Sequence, residues 1–71
     1  MDFVEPSILK ILKVSEIPMT TLSINYRVNE KFGKGIGLNV IKSNLRFLVN
    51  HKKISEKIDK SNGIIYYKLI R

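Results

Sequence analysis

Residues 29–48 read "NEKFGKGIGLNVIKSNLRFL", and the glycines at 33, 35 and 37 decide how the rest of the chain is organised. Three glycines and a lysine within five residues fit two structures: a loop whose backbone N–H groups cradle a phosphate, or the joint between two helices. A phosphate loop follows a strand, opens a helix inside a βαβ unit, and often carries Lys-Ser/Thr after its last glycine. Here Leu38-Asn39 follows Gly37, and a chain of 71 residues is short for such a unit. The joint is the better reading, with Gly33 ending one helix and Gly37 near the start of the next.

The segment after the joint carries the clearest helical pattern, over residues 38–51. At about 100° per residue, Leu38, Ile41, Leu45, Leu48 and Val49 fall in one apolar sector. Asn39, Lys42, Ser43, Arg46 and Asn50 fall opposite, and Val40 and Phe47 form a narrow apolar stripe between them. Phe47 is expected to pack beneath the hairpin that follows or against a neighbouring helix. His51 suits the helix C-terminus, where a capping role explains it.

The segment before the joint carries two periods at once. Leu22, Ile24, Tyr26 and Val28 alternate with polar residues as in a half-buried strand, while Ile24, Val28 and Phe32 recur at i+4, as do Leu22 and Tyr26. The helical period runs on to Phe32 after the alternation ends, so it predicts a helix with Thr20 or Thr21 as N-cap and Gly33 as the terminating glycine. Further out, "EPSILKILKVSE" predicts a helix over 5–16, with Pro6 at its first position, Ile8, Ile11, Leu12 and Ser15 on one face, and Pro18 as the stop. Beyond residue 51, "KISEKI" and "GIIYYKLI" flank "DKSNG"; the Asn62-Gly63 pair between two strand-like runs predicts a β-hairpin with a lysine-bearing tip.

Composition bounds what such a chain does. A domain of this length buries only about 60–65% of the surface its unfolded form exposes. The absence of cysteine excludes disulfides and thiolate metal sites, and His51 alone builds no imidazole cluster, so no cofactor and no metal site are expected. The acidic residues are scattered and the histidine lacks an evident carboxylate partner, which argues against an enzyme. No leader-like segment and no apolar run long enough for a membrane are evident, so a soluble, cytoplasmic protein is expected. Charge is more informative. The net charge is +7, but residues 1–30 hold three basic against four acidic residues, and residues 31–71 hold ten against two. A one-signed field of +8 on the second part of a small domain points to a polyanionic partner, most often nucleic acid.

The order helix, short extended link, helix, glycine turn, helix, hairpin resembles a winged helix-turn-helix domain of the ArsR and MarR types. The likeness rests on "NVIKSNLRFLVNHKKI" and "GIIYYKL", through Ile41, Asn44, Leu45, Leu48 and Ile54, then Ile65, Tyr66, Tyr67, Lys68 and Leu69. It spans roughly residues 20–70 and implies an α+β fold in one domain over 1–71, three helices followed by a two-stranded wing, with room for a short first strand near 19–21. The sequence departs from that pattern twice. It carries no helices after the wing to build a dimer, and no cysteine ligands for metal sensing.

What the resemblance implies is a DNA-binding transcription regulator. The third helix would enter the major groove of double-stranded DNA, with Asn39, Lys42 and Ser43 ranked for base contact ahead of Arg46, which also suits a phosphate. Val40 is placed either against a thymine methyl or in the core. Lys57, Lys60, Asn62 and Lys68 in the wing would touch the backbone, and Lys34 would stand beside the N–H groups that open the third helix. Tyr67 is expected in the core, and Tyr66 either packs or stacks on a sugar. One domain reads one half-site, so weak affinity or a homodimer through the first helix is expected. Two alternatives stay open: a protein-binding winged-helix module in a transcription or replication assembly, and single-stranded or RNA binding with Tyr66 stacking.

Overall fold

The structure, a computed structural model, describes residues 3–31 and 35–70. The expectations placed on Phe32, Gly33 and Lys34 lie outside those residues. The elements run α1 (Val4–Val14), β1 (Met19–Thr20), α2 (Thr21–Lys31), α3 (Leu38–Asn50), β2 (Ile54–Asp59) and β3 (Ile64–Leu69). The strands form one antiparallel sheet in the order β1-β3-β2. Three helices and this sheet make an α+β winged helix, as the sequence predicts.

One hydrophobic cluster takes residues from all six elements. Val4, Ile8, Ile11 and Leu12 come from α1, Met19 from β1, Ile24 and Val28 from α2, Ile41, Leu45 and Leu48 from α3, Ile54 from β2 and Tyr67 from β3. Each fully buried aliphatic side chain stabilises the fold by about 1.5–3 kcal/mol, so loss of one costs a large part of a small domain's stability.

Local chemistry explains the element boundaries. In α1, Pro6 is the third helical residue rather than the first; its missing N–H still falls among those with no intrahelical partner. The helix stops at Val14, two residues short of the expected end. Ser15 is extended, and its hydroxyl donates to the Ile17 carbonyl (2.6 Å), so it belongs to the link and not to the buried face. Thr20 then ends β1 and caps α2, its Oγ1 accepting the Ser23 N–H (3.2 Å). Residues 21–31 are helical, with Ile24 and Val28 fully buried. The second i+4 pair, Leu22 and Tyr26, points outward, 69% and 65% exposed.

The joint before α3 is held by side chains of α2. Asn29 Oδ1 accepts the Ile36 N–H (2.7 Å), while Asn29 Nδ2 and Asn25 Nδ2 both donate to the Ile36 carbonyl (3.1 Å each). Two asparagines one helical turn apart thus pair with one backbone unit as a neighbouring strand would. Gly35 supplies a left-handed φ of +73°, and Gly37 caps α3 through its carbonyl. At the other end of α3 the left-handed residue is Lys52, φ +59°. The Lys53 N–H bonds the Leu48 carbonyl (2.9 Å) and the Lys52 N–H bonds the Val49 carbonyl (3.0 Å), the paired bonds of a Schellman end.

The hairpin register pairs Ile54 with Leu69, Glu56 with Tyr67, Lys57 with Tyr66 and Ile58 with Ile65. Side chains alternate across a sheet. Ile54, Glu56, Ile65, Tyr67 and Leu69 therefore face the helices, and Ser55, Lys57, Tyr66 and Lys68 face away. At the tip, Gly63 takes φ +74°, and its N–H bonds the Asp59 carbonyl (2.7 Å).

Candidate nucleic-acid interface

Helix α3 presents three surfaces. Ile41, Leu45 and Leu48 bury one, with Leu38 and Val49 half-buried at its margin. Opposite them, by 100° steps, lie Asn39, Ser43 and Asn50, all exposed. On the hairpin side of this crest stand Lys42 and Arg46; on the other side stand Val40 and Phe47.

Phe47 corrects the expectation that it packs beneath the hairpin or against another helix. It is 44% exposed, and its ring lies 4.0 Å from the His51 imidazole, centroid to centroid. The hairpin closes on the Lys42–Arg46 side of α3, which leaves the Val40–Phe47 stripe open to solvent. Val40, also 44% exposed, is likewise outside the core. His51 does cap the helix: its Nδ1–H donates to the Phe47 carbonyl (2.9 Å), as its backbone N–H also does (3.0 Å).

Between α3 and the hairpin lies a depression of about 300 Å³ lined by Thr21, Lys42, Arg46, Asn50, Glu56 and Tyr67. Two cations, an amide and a carboxylate thus share one concave surface beside the crest. Glu56 was not singled out from the sequence. Its alternation with Ser55 and Lys57, combined with the burial of Ile54, is the signal that places it on the inner face.

The wing residues expected at DNA do not form one surface. Lys60 and Asn62 are exposed in the turn. The Asn62 side-chain oxygen is committed there, accepting the Ile64 N–H (2.8 Å), which leaves its amide nitrogen for a ligand. Lys57 and Lys68 stand on the sheet face turned away from α3 and cannot join the Lys42–Arg46 edge. With Lys60 and Tyr66 they line a second depression of about 780 Å³, walled by Ile17 and Pro18. Asp59, at the base of the turn, accepts the Ser61 hydroxyl (2.6 Å) and the Ser61 N–H (2.9 Å). Those bonds, with a smaller contribution from the Lys57 charge, hold its carboxyl below the usual carboxylate range.

A third feature carries little charge. Val14, Ile17, Leu22 and Tyr26, each 65–71% exposed, border a groove of about 590 Å³ where α1, β1 and α2 meet. Single exposed apolar residues are ordinary, but four around one groove form a patch of the kind that marks an interaction surface.

Among the described residues, no group of three or more His, Cys, Asp or Glu is placed to hold a metal ion, and no helix is long and apolar enough to cross a membrane. No protein-family model matches the chain, and no curated protein matches it in sequence. The fold does have solved relatives in shape. Among them is the ferric uptake regulator Fur of Helicobacter pylori, a protein described with three functional metal-binding sites. It superimposes with a TM-score of 0.83 over 92% of this chain, at 18% sequence identity, and this chain spans 43% of its length. At that identity the likeness concerns the fold alone, and it supports the winged helix.

Proposed function

We propose that this domain is a non-enzymatic, duplex-DNA-binding transcription regulator that inserts α3 into the major groove. The observation that carries the reading is the α3 surface: an amide-and-hydroxyl crest (Asn39, Ser43) edged by Lys42 and Arg46, which share a depression with Glu56 and Tyr67 of the hairpin. Asn39 suits the N6 and N7 edge of adenine. Val40, open to solvent at the N-terminal half of α3, suits a thymine methyl, while Lys42 and Arg46 serve guanine edges or phosphates. Lys60 and the Asn62 amide reach the flanking backbone. The likeness to a transcription regulator supports the class of partner.

The test is duplex binding across a salt series. Each phosphate neutralised contributes a slope of about −0.9 in log K against log salt. Lys42→Ala with Arg46→Ala should flatten that slope by about 2 units while leaving the circular dichroism spectrum unchanged. Duplex affinity indifferent to both substitutions would remove α3 from the interface.

Docking of a protein is a second reading, favoured by the apolar groove at Val14, Ile17, Leu22 and Tyr26. A second copy of the chain is the occupant that suits it best. The groove lies in the near-neutral first 30 residues, so two copies meet there without opposing their strongly basic portions. Sedimentation equilibrium should then find a dimer that Leu22→Asp dissociates.

A further inference from the structure

We infer that the outer face of the sheet is a second nucleic-acid site, built for a single strand rather than a duplex. Tyr66 stands on the central strand β3, half-buried, with Thr20 across from it on β1 and Lys57 across from it on β2. Lys68 follows two residues along the same face, about 7 Å away at the rise of a strand. Lys60 closes the depression at the hairpin end, and Ile17 and Pro18 wall its other side.

An aromatic ring on a flat strand surface, between cations at that spacing, has the elements of a sequence-tolerant single-strand platform. The ring stacks a base, and the lysines hold the phosphates on either side. The one carboxylate at this rim, Asp59, is already engaged by Ser61. A duplex keeps its base faces covered and offers Tyr66 nothing to stack on. The face is also remote from the Lys42–Arg46 edge, because Lys57, Tyr66 and Lys68 alternate with the inward Glu56 and Tyr67. The two sites meet only at Lys60 in the hairpin turn, and a regulator carrying both would hold duplex and unpaired strand together, as at a melted or nicked segment.

The experiment is fluorescence anisotropy of a labelled oligothymidylate with the intact chain, run beside a labelled duplex. Tyr66→Ala is expected to weaken oligothymidylate binding at least about fivefold, the lower end of what one base–aromatic stack contributes, while Tyr66→Phe retains it. Lys57→Glu with Lys68→Glu, both at exposed positions, should abolish it even where Tyr66→Ala proves unstable. Lys42→Ala with Arg46→Ala should leave it intact while weakening the duplex. Oligothymidylate binding that ignores the Lys57/Lys68 pair, or that fails with the Lys42/Arg46 pair, overturns the inference. So does a duplex that competes for the Tyr66 site on equal terms. Absence of duplex binding with intact oligothymidylate binding would instead overturn the major-groove reading and leave this one standing.

Discussion

Tyr66 and Tyr67 are adjacent in the chain and belong to opposite surfaces of one sheet. Tyr67 is 8% exposed and belongs to the core cluster. Tyr66 is half-buried under no helix, between Thr20 and Lys57. The same alternation sets Glu56 on the depression that Lys42 and Arg46 line and sends Lys57 away from it. Strand parity thus sorts the hairpin's residues into a structural face that also shapes the α3 groove and a face free to bind. A basic hairpin is consequently two surfaces, and its lysines cannot be pooled.

The largest expected effect separates the two tyrosines by stability. Tyr67→Ala should cost about 3 kcal/mol or more in urea denaturation, whereas Tyr66→Ala should cost about 1 kcal/mol or less, the scale of a cross-strand pair. Equal costs would break the division of the sheet. A smaller effect concerns Glu56. Removing its charge with Glu56→Gln should strengthen duplex binding about twofold, the effect of a carboxylate held some 8 Å from a phosphate in water. A loss of affinity would mean that Glu56 orients Lys42 and Arg46 instead. The smallest effect lies in the turn. The Asp59 carboxyl is lowered in the folded state, so its contribution to stability is complete above the ordinary carboxylate range and is lost as pH falls through the folded value. The stability difference between the protein and Asp59→Asn, measured by thermal melts across pH, should therefore shrink on acidification; a difference constant with pH would remove the carboxylate from the turn's stability.

Much of this fold is legible in the chain because burial imposes periods. Ile41, Leu45 and Leu48 mark α3, and Asn62-Gly63 marks the hairpin turn. The double period of residues 22–28 resolves as helix because only Ile24 and Val28 meet the core; Leu22 and Tyr26 are apolar for a surface that the core does not use. Other features have no local signature. The clamp of Asn25 and Asn29 on Ile36 joins residues seven and eleven apart through side-chain amides, which no apolar pattern records. The left-handed exit from α3 falls on Lys52, where turn chemistry would look for glycine, because paired backbone bonds hold it there. At the site, Asn39, Lys42, Ser43 and Arg46 are exposed as their helical period requires. The separation of Lys57 and Lys68 from them needed strand register, and the opening of Phe47 needed the side on which the hairpin closes.

In the proposed function, α3 and the hairpin tip meet duplex DNA. A ¹H–¹⁵N chemical-shift titration with a short duplex tests it most directly. The largest shifts should fall on Asn39, Lys42, Ser43, Arg46 and residues 60–62, while the amides of α1, Lys57 and Lys68 stay in place. Shifts concentrated on the Val14–Tyr26 corner or on the outer sheet face, with α3 unmoved, would contradict it.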